Sequence, residues 1–398
     1  MSKRANHDGS IRKKVVTRNG KEYQFWEARI TTGYDPGTGK QIVRSFSGKT
    51  QKEVREKMQA VAVELKNNTY FQPSRITVSE WAEIWLRDYL DDVKYLTQKH
   101  YRAQCNTHII PSLGATKLCE LTPVQINAFY HQLTKDGLSP KSVRNIHGVM
   151  MNLLGTAVRM KYLQANPASG VTLPRVTKKE ISPLSDEQLK AFLIASEKDD
   201  FAILFKLIPF TGLREGEALG LTWDCVDSQH GTLKIDKQLQ RHPNQGDGFT
   251  LVPTKSDKVR IIKPAPFVME LLTQRKREQI TQRLAAGELW TEWRDCDKPK
   301  QALVFTTPLG TPLQARTVVK HYKKIVESLG IPDSRVYDLR HTYAVLSLQN
   351  GDDPKTVQNN LGHATAAFTL DVYGHVSDRM KDTSAARMQD YITDLMQA

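Results

Sequence analysis

The sequence predicts a multi-domain protein that is mainly α-helical and carries small β-sheets. Three observations lead to this prediction. Apolar and polar side chains alternate near the start, the middle repeats apolar residues at helical spacing, and prolines and glycines interrupt the pattern before the last part. The length of 398 residues suits two or three domains of roughly 100–200 residues each.

An N-terminal β-sheet is predicted from residues 11–47, where apolar and polar side chains alternate. Turn signals at Asn19-Gly20 and at Asp35-Pro36-Gly37 divide this stretch into three short antiparallel strands. Thr50 and Glu53 have the spacing of a capping box, so we expect a helix that covers the sheet. Its apolar residues recur at helical spacing: Val54, Met58, Val61 and Leu65.

Residues from about 77 to 170 are predicted to form helices. Thr122-Pro123 and Ser139-Pro140 are typical of helix starts, because proline suits the first helical position. The second of these helices has an apolar stripe and carries Lys141 and Arg144 on its other faces. These two cations are expected to contact DNA if the rest of the chain is a DNA enzyme. The alternative is a solvated cationic face.

Residues 166–183 break all periodicity and give the clearest domain boundary, while residues 67–77 are predicted to be a linker. We therefore predict three domains, at 1–68, 75–170 and 180–398. The last domain is expected to be mixed α/β. Its strands are predicted to form one small sheet from residues 232–235, 250–253 and 259–262.

The charge of the chain favours a polyanionic partner. Lys and Arg number 57 against 43 Asp and Glu, which gives a net charge of +14. Residues 1–70 hold 15 of these cations and 7 of the acids, so this segment is predicted to bind nucleic acid as a separate module. Its candidate DNA-binding residues are Lys13, Lys14, Arg18, Arg29 and Arg44.

Several other classes of protein are disfavoured. No apolar run approaches the roughly 18 residues that cross a bilayer, and no apolar stretch follows the charged N-terminus as in a secretory signal. We therefore expect a cytoplasmic protein. The four cysteines lack CxxC spacing, which argues against a zinc ribbon and a disulfide framework. Apart from one Asp-Cys-Asp stretch at residues 295–297, the sequence contains no DxD or HxH cluster, and we expect no metal and no cofactor.

Two segments of the last domain place cations where a phosphate would suit them. The first is TGLREGEALGLTW, residues 211–223, in which Arg214 lies at the predicted start of a helix, beside free backbone N–H groups. The alternative is an ion pair between Arg214 and Glu217. The second is VPTKSDKVRII, residues 252–262. Its Lys255 lies at a predicted tight turn and is either a proton donor to a leaving oxygen or an ordinary surface lysine.

Two later segments add further candidates. In VYDLRHTYA, residues 336–344, Tyr337 and Arg340 are three apart and share one face of a predicted helix. The other segment runs from LGH to VYGHV, where His363 offers a hydrogen bond to a phosphate and Tyr373 offers a nucleophilic oxygen. Taken singly, each of these residues also fits a core or surface position.

In combination and in this order, the four segments resemble the tyrosine recombinases of the lambda-integrase type, especially the integrases of conjugative transposons and temperate phages. The motifs of that family run GLR…E…L.W, a hairpin TK…R.I, HxLRHT.A, LGH and Y.H, and every anchor but one is matched. The resemblance covers residues 1–398. It implies a basic arm-type DNA-binding domain, a helical core-DNA-binding domain and a mixed α/β tyrosine-recombinase catalytic domain.

The resemblance assigns a role to each of five residues: Arg214 and Arg340 clamp the scissile phosphate, Lys255 is the general acid, His363 supports the transition state and Tyr373 attacks. Two guanidinium groups can stabilise the charge that builds on the nonbridging oxygens without a metal ion. A 5′ hydroxyl can then reverse the 3′-phosphotyrosyl bond without ATP.

Tyr337 is the position that departs from the family pattern, which usually has a histidine that helps as a base. A phenol is a poor base at neutral pH, but it still donates a hydrogen bond, so we interpret Tyr337 as a donor to the phosphate. His341 points about 100° away from Arg340 on the helix and is a poor substitute for the missing histidine.

The resemblance implies a site-specific recombinase that integrates and excises a mobile genetic element. Its implied partners are double-stranded DNA at attachment sites or transposon ends, a homo-tetramer on that DNA, an excisionase and a host DNA-bending protein. Two alternatives stay open, a type IB topoisomerase that only relaxes DNA and a catalytically decayed DNA-binding protein. Near the C-terminus, a short apolar stripe consists of Met388, Ile392 and Leu395. We expect this stripe to dock on a neighbouring subunit, and the alternative is that it packs within its own domain.

Overall fold

The computed structural model describes ten stretches of the chain: residues 9–18, 21–34, 40–67, 75–177, 183–242, 248–255, 257–291, 293, 302–362 and 378–397. The chain forms two compact units, the first up to residue 178 and the second from residue 179. The predicted turns at Asn19-Gly20 and Asp35-Pro36-Gly37 lie outside the described residues. Within the described stretches, no helix is long and apolar enough to span a membrane.

The first unit begins with an antiparallel sheet of three strands, as the alternation of side chains predicted. The strands follow one another in the order of the chain: β1 (Ser10–Arg18), β2 (Lys21–Tyr34) and β3 (Gln41–Gly48). Helix α1 (Gln51–Lys66) begins at Thr50, whose side chain accepts a hydrogen bond from the backbone N–H of Glu53.

Helix α1 covers one face of this sheet. Val54 and Val61 of α1 are buried, and so are Ala28 and Ile30 of β2, on which the helix packs. Burial of apolar side chains on one face of a small sheet is what stabilises it against its loss of chain entropy. The other face of the sheet is not covered by α1, since successive residues of a strand point to opposite faces.

A helical bundle completes the first unit. Its helices are α2 (Val78–Asp88), α3 (Tyr95–Gln104), α4 (Ile110–Leu113), α5 (Pro123–Lys135) and α6 (Pro140–Arg159). Thr122 and Ser139 cap α5 and α6 as predicted, because each side chain accepts a hydrogen bond from a backbone N–H of the first turn. The core is apolar, and Trp81 lies fully buried in it with its indole N–H donating to the carbonyl of Leu153 at 3.0 Å.

The second unit combines helices with short strands. Its helices are α7 (Asp186–Ser196), α8 (Ala202–Thr211), α9 (Glu215–Leu219), α10 (Pro266–Ala286), α11 (Ala315–Ser328), α12 (Val336–Gln349), α13 (Pro354–Leu361) and α14 (Asp378–Gln397). Its strands are β4 (Val226–Asp227), β5 (Thr232–Ile235), β6 (Lys237–Arg241), β7 (Phe249–Pro253) and β8 (Arg260–Ile262).

The prediction of one small sheet in this unit is wrong, because the strands form two sheets. One sheet has the order β4-β5-β8 and the other pairs β6 with β7. Strand β6 was not predicted, because its sequence KQLQR shows little alternation of apolar and polar residues. This strand pairs with β7, which was expected to pair with β8. Lys255 still lies on the turn between β7 and β8, where the backbone N–H of Asp257 donates to the carbonyl of Thr254 at 3.0 Å.

Three helices of this unit bring distant parts of the chain together. Helix α12 packs against α8 and against α13. Thr342 of α12 accepts a hydrogen bond from the backbone N–H of Leu184 at 2.9 Å. Helix α13 begins at Asp353, whose carboxylate accepts from the backbone N–H groups of Lys355 and Thr356, as its Asp-Pro start predicted.

The C-terminal helix α14 presents its apolar stripe to solvent. Met388, Ile392 and Leu395 are 59%, 45% and 62% exposed. The docking of this stripe on a neighbouring subunit stays a prediction.

Candidate active site

Gly212 forms the junction around which the candidate site is built. It ends α8 with a φ of +65°, a left-handed conformation that glycine adopts without strain. A Cβ atom here would lie 2.5 Å from Cδ1 of Tyr343 and 2.7 Å from Cδ2 of Leu361. Only glycine therefore allows the end of α8 to approach α12 and α13 this closely.

Arg214 is the N-terminal capping residue of α9, where the sequence predicted the start of a helix. Its Nη1 donates to Oε1 of Glu217 at 2.7 Å, and its Nη2 donates to the carbonyl oxygen of Gly362 at 3.3 Å. The side chain is 18% exposed. The ion pair with Glu217 therefore exists, and it holds the guanidinium in place while the side chain remains partly open to solvent.

Arg340 lies in the interior of the unit and is only 1% exposed. Its Nη1 donates to the carbonyl of Gly212, and its Nη2 donates to the carbonyl of Leu361 at 2.6 Å. Its Nε has no hydrogen-bond partner among the described residues. Burial lowers the pKa of Arg340, and the nearby positive charge of Arg214 lowers it further. Both effects act against the charged form of this guanidinium.

Glu217 and Arg260 form a buried ion pair behind Arg214. The Glu217 side chain is fully buried, and its two carboxylate oxygens accept from Arg260 Nη2 at 2.5 Å and Nη1 at 3.2 Å. Burial alone would raise the pKa of Glu217, but the hydrogen bond and charge of Arg260 and the charge of Arg214 outweigh it and hold the pKa below its ordinary value. One carboxylate therefore fixes two arginines.

Three arginines from different elements hold the end of α13. Arg260 Nε donates to the carbonyl of Asn360 at 2.8 Å, Arg340 Nη2 donates to that of Leu361, and Arg214 Nη2 donates to that of Gly362. The last carbonyls of a helix have no partner within the helix and carry partial negative charge, so cations bind there favourably. These contacts fix the backbone immediately before residue 363.

Arg260 and Glu217 were not among the catalytic residues predicted from the sequence. Both were visible in the motifs, Glu217 three residues after Arg214 and Arg260 five residues after Lys255. The signal that could have found them was one acidic and one basic residue of opposite charge, placed in the two motifs that already contained Arg214 and Lys255. Sequence spacing could not show that they meet, because 43 residues separate them.

Tyr337 lies on α12 one turn before Arg340 and is 44% exposed. Its ring packs edge-on against the ring of His341, with 4.8 Å between centroids. Burial lowers the pKa of His341 to about 4, so this imidazole is neutral at pH 7. An imidazole with so low a pKa is a poor proton acceptor at neutral pH, and the role of His341 stays a prediction.

Three further catalytic residues were predicted from the sequence: Lys255, His363 and Tyr373. Lys255 is exposed on its turn. His363 and Tyr373 lie outside the described residues. As far as the structure describes the chain, no group of three or more His, Cys, Asp or Glu side chains is placed to hold a metal ion.

The candidate DNA-binding residues differ in their surroundings. Lys14 and Arg29 pair with Glu27, and Arg44 lies over the ring of Phe46 at 5.2 Å. Arg144 donates through Nε to the carbonyl of Pro174 at 2.9 Å. The remaining candidates are Lys13 and Lys141, which are exposed, and Arg18, whose side chain is not among those that the structure describes.

Comparison with known families gives two matches along the chain. The model of the phage integrase family matches residues 175–380, which is more than half of the chain. The model of the SAM-like N-terminal domain of phage integrases matches residues 77–134. All the candidate catalytic residues fall within the first of these matches.

Curated relatives extend the similarity over nearly the whole chain. A XerC-like tyrosine recombinase of Caldanaerobacter subterraneus subsp. tengcongensis is 28% identical over 399 residues, with 95% of this chain and 99% of the relative covered. The ICEBs1 integrase of Bacillus subtilis is 25% identical over 375 residues, with 92% and 97% covered.

Solved structures show the same fold. The integrase of the transposon Tn1549, in complex with transposon right end DNA, has a TM-score of 0.67 at 20% identity, and the match covers 79% of this chain and 100% of that one. A lambda integrase tetramer bound to a Holliday junction has a TM-score of 0.54 at 16% identity, with 92% and 96% covered. Together with the family model, these similarities show that the chain belongs to the phage integrase family and is a tyrosine-type site-specific DNA recombinase.

Proposed function

We propose that this recombinase cuts and rejoins DNA through a 3′-phosphotyrosyl link to Tyr373, and that Arg214 and Arg340 hold the scissile phosphate. The observation that carries this proposal is the environment of Arg340. Its guanidinium is buried, and within the described stretches its Nε has no hydrogen-bond partner and no carboxylate forms an ion pair with it. A buried charge without a counterion is costly, so an anionic ligand is the partner that would stabilise it.

The chemistry of the arginines follows from the charge that develops during cleavage. Attack on a phosphodiester increases the negative charge on the two nonbridging oxygens. Guanidinium groups that are already held by Glu217 and by the carbonyls of α13 need little reorganisation when that charge appears. Rigid cations of this kind stabilise the transition state more than the ground state, which is what accelerates the reaction.

The remaining steps require a nucleophile and a proton donor. In the proposed reaction the Tyr373 hydroxyl gives its proton to solvent water and its oxygen bonds to phosphorus. The bond to the 5′ oxygen breaks, and Lys255 supplies the proton that the leaving oxygen takes up. His363 directly follows the backbone that the three arginines hold, and we assign it a hydrogen bond to the phosphate. Tyr337, which is exposed on the same helix as Arg340, would donate another. Rejoining is the reverse of these steps.

Replacing Arg260 with lysine is expected to slow strand cleavage by about 100-fold, since small displacements of catalytic groups cost that much. A lysine keeps a charge near Glu217 but cannot donate at once to both carboxylate oxygens and to the carbonyl of Asn360. Single-turnover cleavage of a nicked duplex measures the rate, and a parallel titration measures DNA affinity, which should not change.

Arg241→Lys is the matched control, because Arg241 is exposed at the end of strand β6, in the other small sheet of the same unit. The positioning role also predicts an order of activities, in which Arg260→Lys retains more cleavage than Arg260→Met. Equal rates for wild type and Arg260→Lys would contradict the role, and so would a loss that appears only in DNA affinity.

We propose double-stranded DNA as the partner of the whole chain, with residues 1–68 on arm-type sites, residues 75–170 on core sites and residues 180–398 in catalysis. The solved relatives that share this fold were observed with transposon or junction DNA. Lys141 and Arg144 on α6 and the basic sheet of the first unit supply cations for the phosphates. In a bacterium, where the DNA lies in the cytoplasm, such an activity implies a cytoplasmic protein.

A tetramer on DNA is the proposed assembly, with the C-terminal helix α14 docking on a neighbouring subunit. The exposure of Met388, Ile392 and Leu395 supports this placement. An excisionase and a host DNA-bending protein remain part of the proposal as factors that set the direction of the reaction.

Strand exchange between two plasmids tests the proposed function. Each plasmid carries DNA taken from one side of the gene, and the product of recombination is detected across the new junction. A recombinase yields joined plasmids, whereas a topoisomerase would relax them without exchange. A catalytically decayed binding protein would slow the migration of the DNA in a gel, but it would neither join nor relax the plasmids. That result would refute the proposed catalysis.

A further inference from the structure

The open face of the N-terminal sheet carries a cluster of three cations around one carboxylate. Helix α1 covers the face that contains Ala28 and Ile30. Side chains alternate along a strand, so Glu27 and Arg29 point to the opposite face. Arg12 of β1 is the cross-strand neighbour of Glu27, and Lys14 lies two residues further on the same face. We call these four residues, Arg12, Lys14, Glu27 and Arg29, the open-face cluster.

Glu27 is the centre of the open-face cluster. Its Oε2 accepts from Arg12 at 2.6 Å and from Arg29 at 3.2 Å, and its Oε1 accepts from Lys14 at 3.3 Å. The hydrogen bond from Arg12 is the main reason why the pKa of Glu27 is lowered, with burial opposing it. Glu27 is only 6% exposed, whereas the three cationic side chains are 40% to 53% exposed. The cations therefore form the surface, and the carboxylate lies beneath them.

A carboxylate is unexpected on a surface that binds only the DNA backbone. Non-specific affinity depends on the number of phosphates that cations neutralise, and Glu27 both cancels one cation and repels phosphate. Glu27 nonetheless does something that a cation cannot do. It fixes the directions of two long arginine side chains before any ligand arrives, and an oriented guanidinium can donate to the two acceptors of a guanine in the major groove.

The neighbouring strand leaves room for such contacts. Ser47 and Ser45 of β3 are the cross-strand neighbours of Glu27 and Arg29. Both side chains are short and exposed. The face therefore has Arg12 on one edge strand, Arg29 on the central strand and short hydroxyl side chains on the other edge strand. Such a face suits the major groove, which admits β-strands.

We propose that Glu27 is a specificity-determining residue of this face, which positions Arg12 and Arg29 for base edges of double-stranded DNA and weakens binding to sequence-independent phosphate. The inference rests on the proposed function only in taking DNA as the partner. When the Glu27 carboxylate is removed, affinity for unrelated DNA is expected to rise, whereas discrimination between DNA sequences is expected to fall.

Selection from a random duplex library tests this inference with the full-length protein. Wild type, Glu27→Gln and Glu56→Gln are each used to enrich sequences, and the enriched pools are sequenced. Glu56 is exposed on α1, so Glu56→Gln removes the same charge without touching the open-face cluster. One motif is expected to be enriched by wild type and by Glu56→Gln but to lose about tenfold or more of its enrichment with Glu27→Gln. Motifs recognised by the rest of the chain should persist in all three pools.

A second variant keeps the test decisive if Glu27→Gln unfolds the sheet. Arg12→Gln leaves Glu27 paired with Lys14 and Arg29, and it should lose the same motif. The inference would be overturned if the wild type and all variants enriched the same sequences to the same extent. It would also be overturned if every motif enriched by the wild type were enriched equally by the variants of the open-face cluster. Because binding does not require cleavage, sequence discrimination without recombination would refute the proposed catalysis and leave this inference standing.

Discussion

Phenylalanine in place of Tyr373 is expected to abolish the covalent protein–DNA adduct while DNA binding and folding survive. The substitution removes one oxygen atom, the proposed nucleophile, and changes little of the side-chain volume. Tyr373 follows the LGH motif by ten residues and precedes Gly374. Other tyrosines compete for the role in principle, but Tyr337 and Tyr343 lie on α12, the helix that positions Arg340.

A nicked duplex that traps the cleaved strand gives the measurement. Wild-type protein should yield an adduct whose DNA-linked peptide contains residue 373, and the yield should persist in EDTA, since arginines take the place of a metal in this scheme. Tyr391→Phe is the matched control, because Tyr391 is 63% exposed on α14. An adduct that maps to another tyrosine, or that Tyr373→Phe still forms, would refute the assignment.

Replacing Arg340 with lysine is expected to slow cleavage by about 100- to 1,000-fold, which corresponds to roughly 2.7–4 kcal/mol of transition-state stabilisation. The guanidinium donates simultaneously to the carbonyls of Gly212 and Leu361 and still has Nε available. A lysine retains the positive charge, but its single ammonium cannot reproduce three donors in one plane.

Single-turnover cleavage on the same nicked duplex measures this effect, with thermal unfolding as a check on the fold. Arg335→Lys is the control, because Arg335 caps the start of the same helix, is 67% exposed and, among the described residues, pairs with Asp338. A rate for Arg340→Lys that stays close to wild type in a folded protein would mean that Arg340 does not contact the phosphate.

Features with local causes were predictable from the sequence. The caps at Thr122, Ser139 and Asp353 are formed by side chains that bond to N–H groups two or three residues away, so the sequence shows both partners. The three-stranded N-terminal sheet followed from alternation, and the mainly helical middle followed from helical spacing. The order of the motifs predicted a tyrosine recombinase, and the family match confirms it.

Strand pairing was less predictable, because it depends on residues that are distant in the sequence. The spacing of β7 and β8 suggested neighbours in one sheet, yet β7 pairs with β6 and β8 pairs with β5. A short strand can bond to any free edge within reach, and only the packing of the whole unit selects one. Register likewise decided that Arg12 and Glu27 are opposite each other in the N-terminal sheet.

The sequence by itself determined the family, the order of the motifs and the identity of Arg214 and Arg340 as a candidate pair, because these depend on residue types and their spacing. Only the tertiary structure showed that Arg260 shares Glu217 with Arg214, and that three arginines hold three successive carbonyls at the end of α13. Apart from the local pair of Arg214 and Glu217, those contacts join residues that are 21 to 148 positions apart. Their geometry arises from the packing of α8, α12 and α13 around Gly212, which no local pattern encodes.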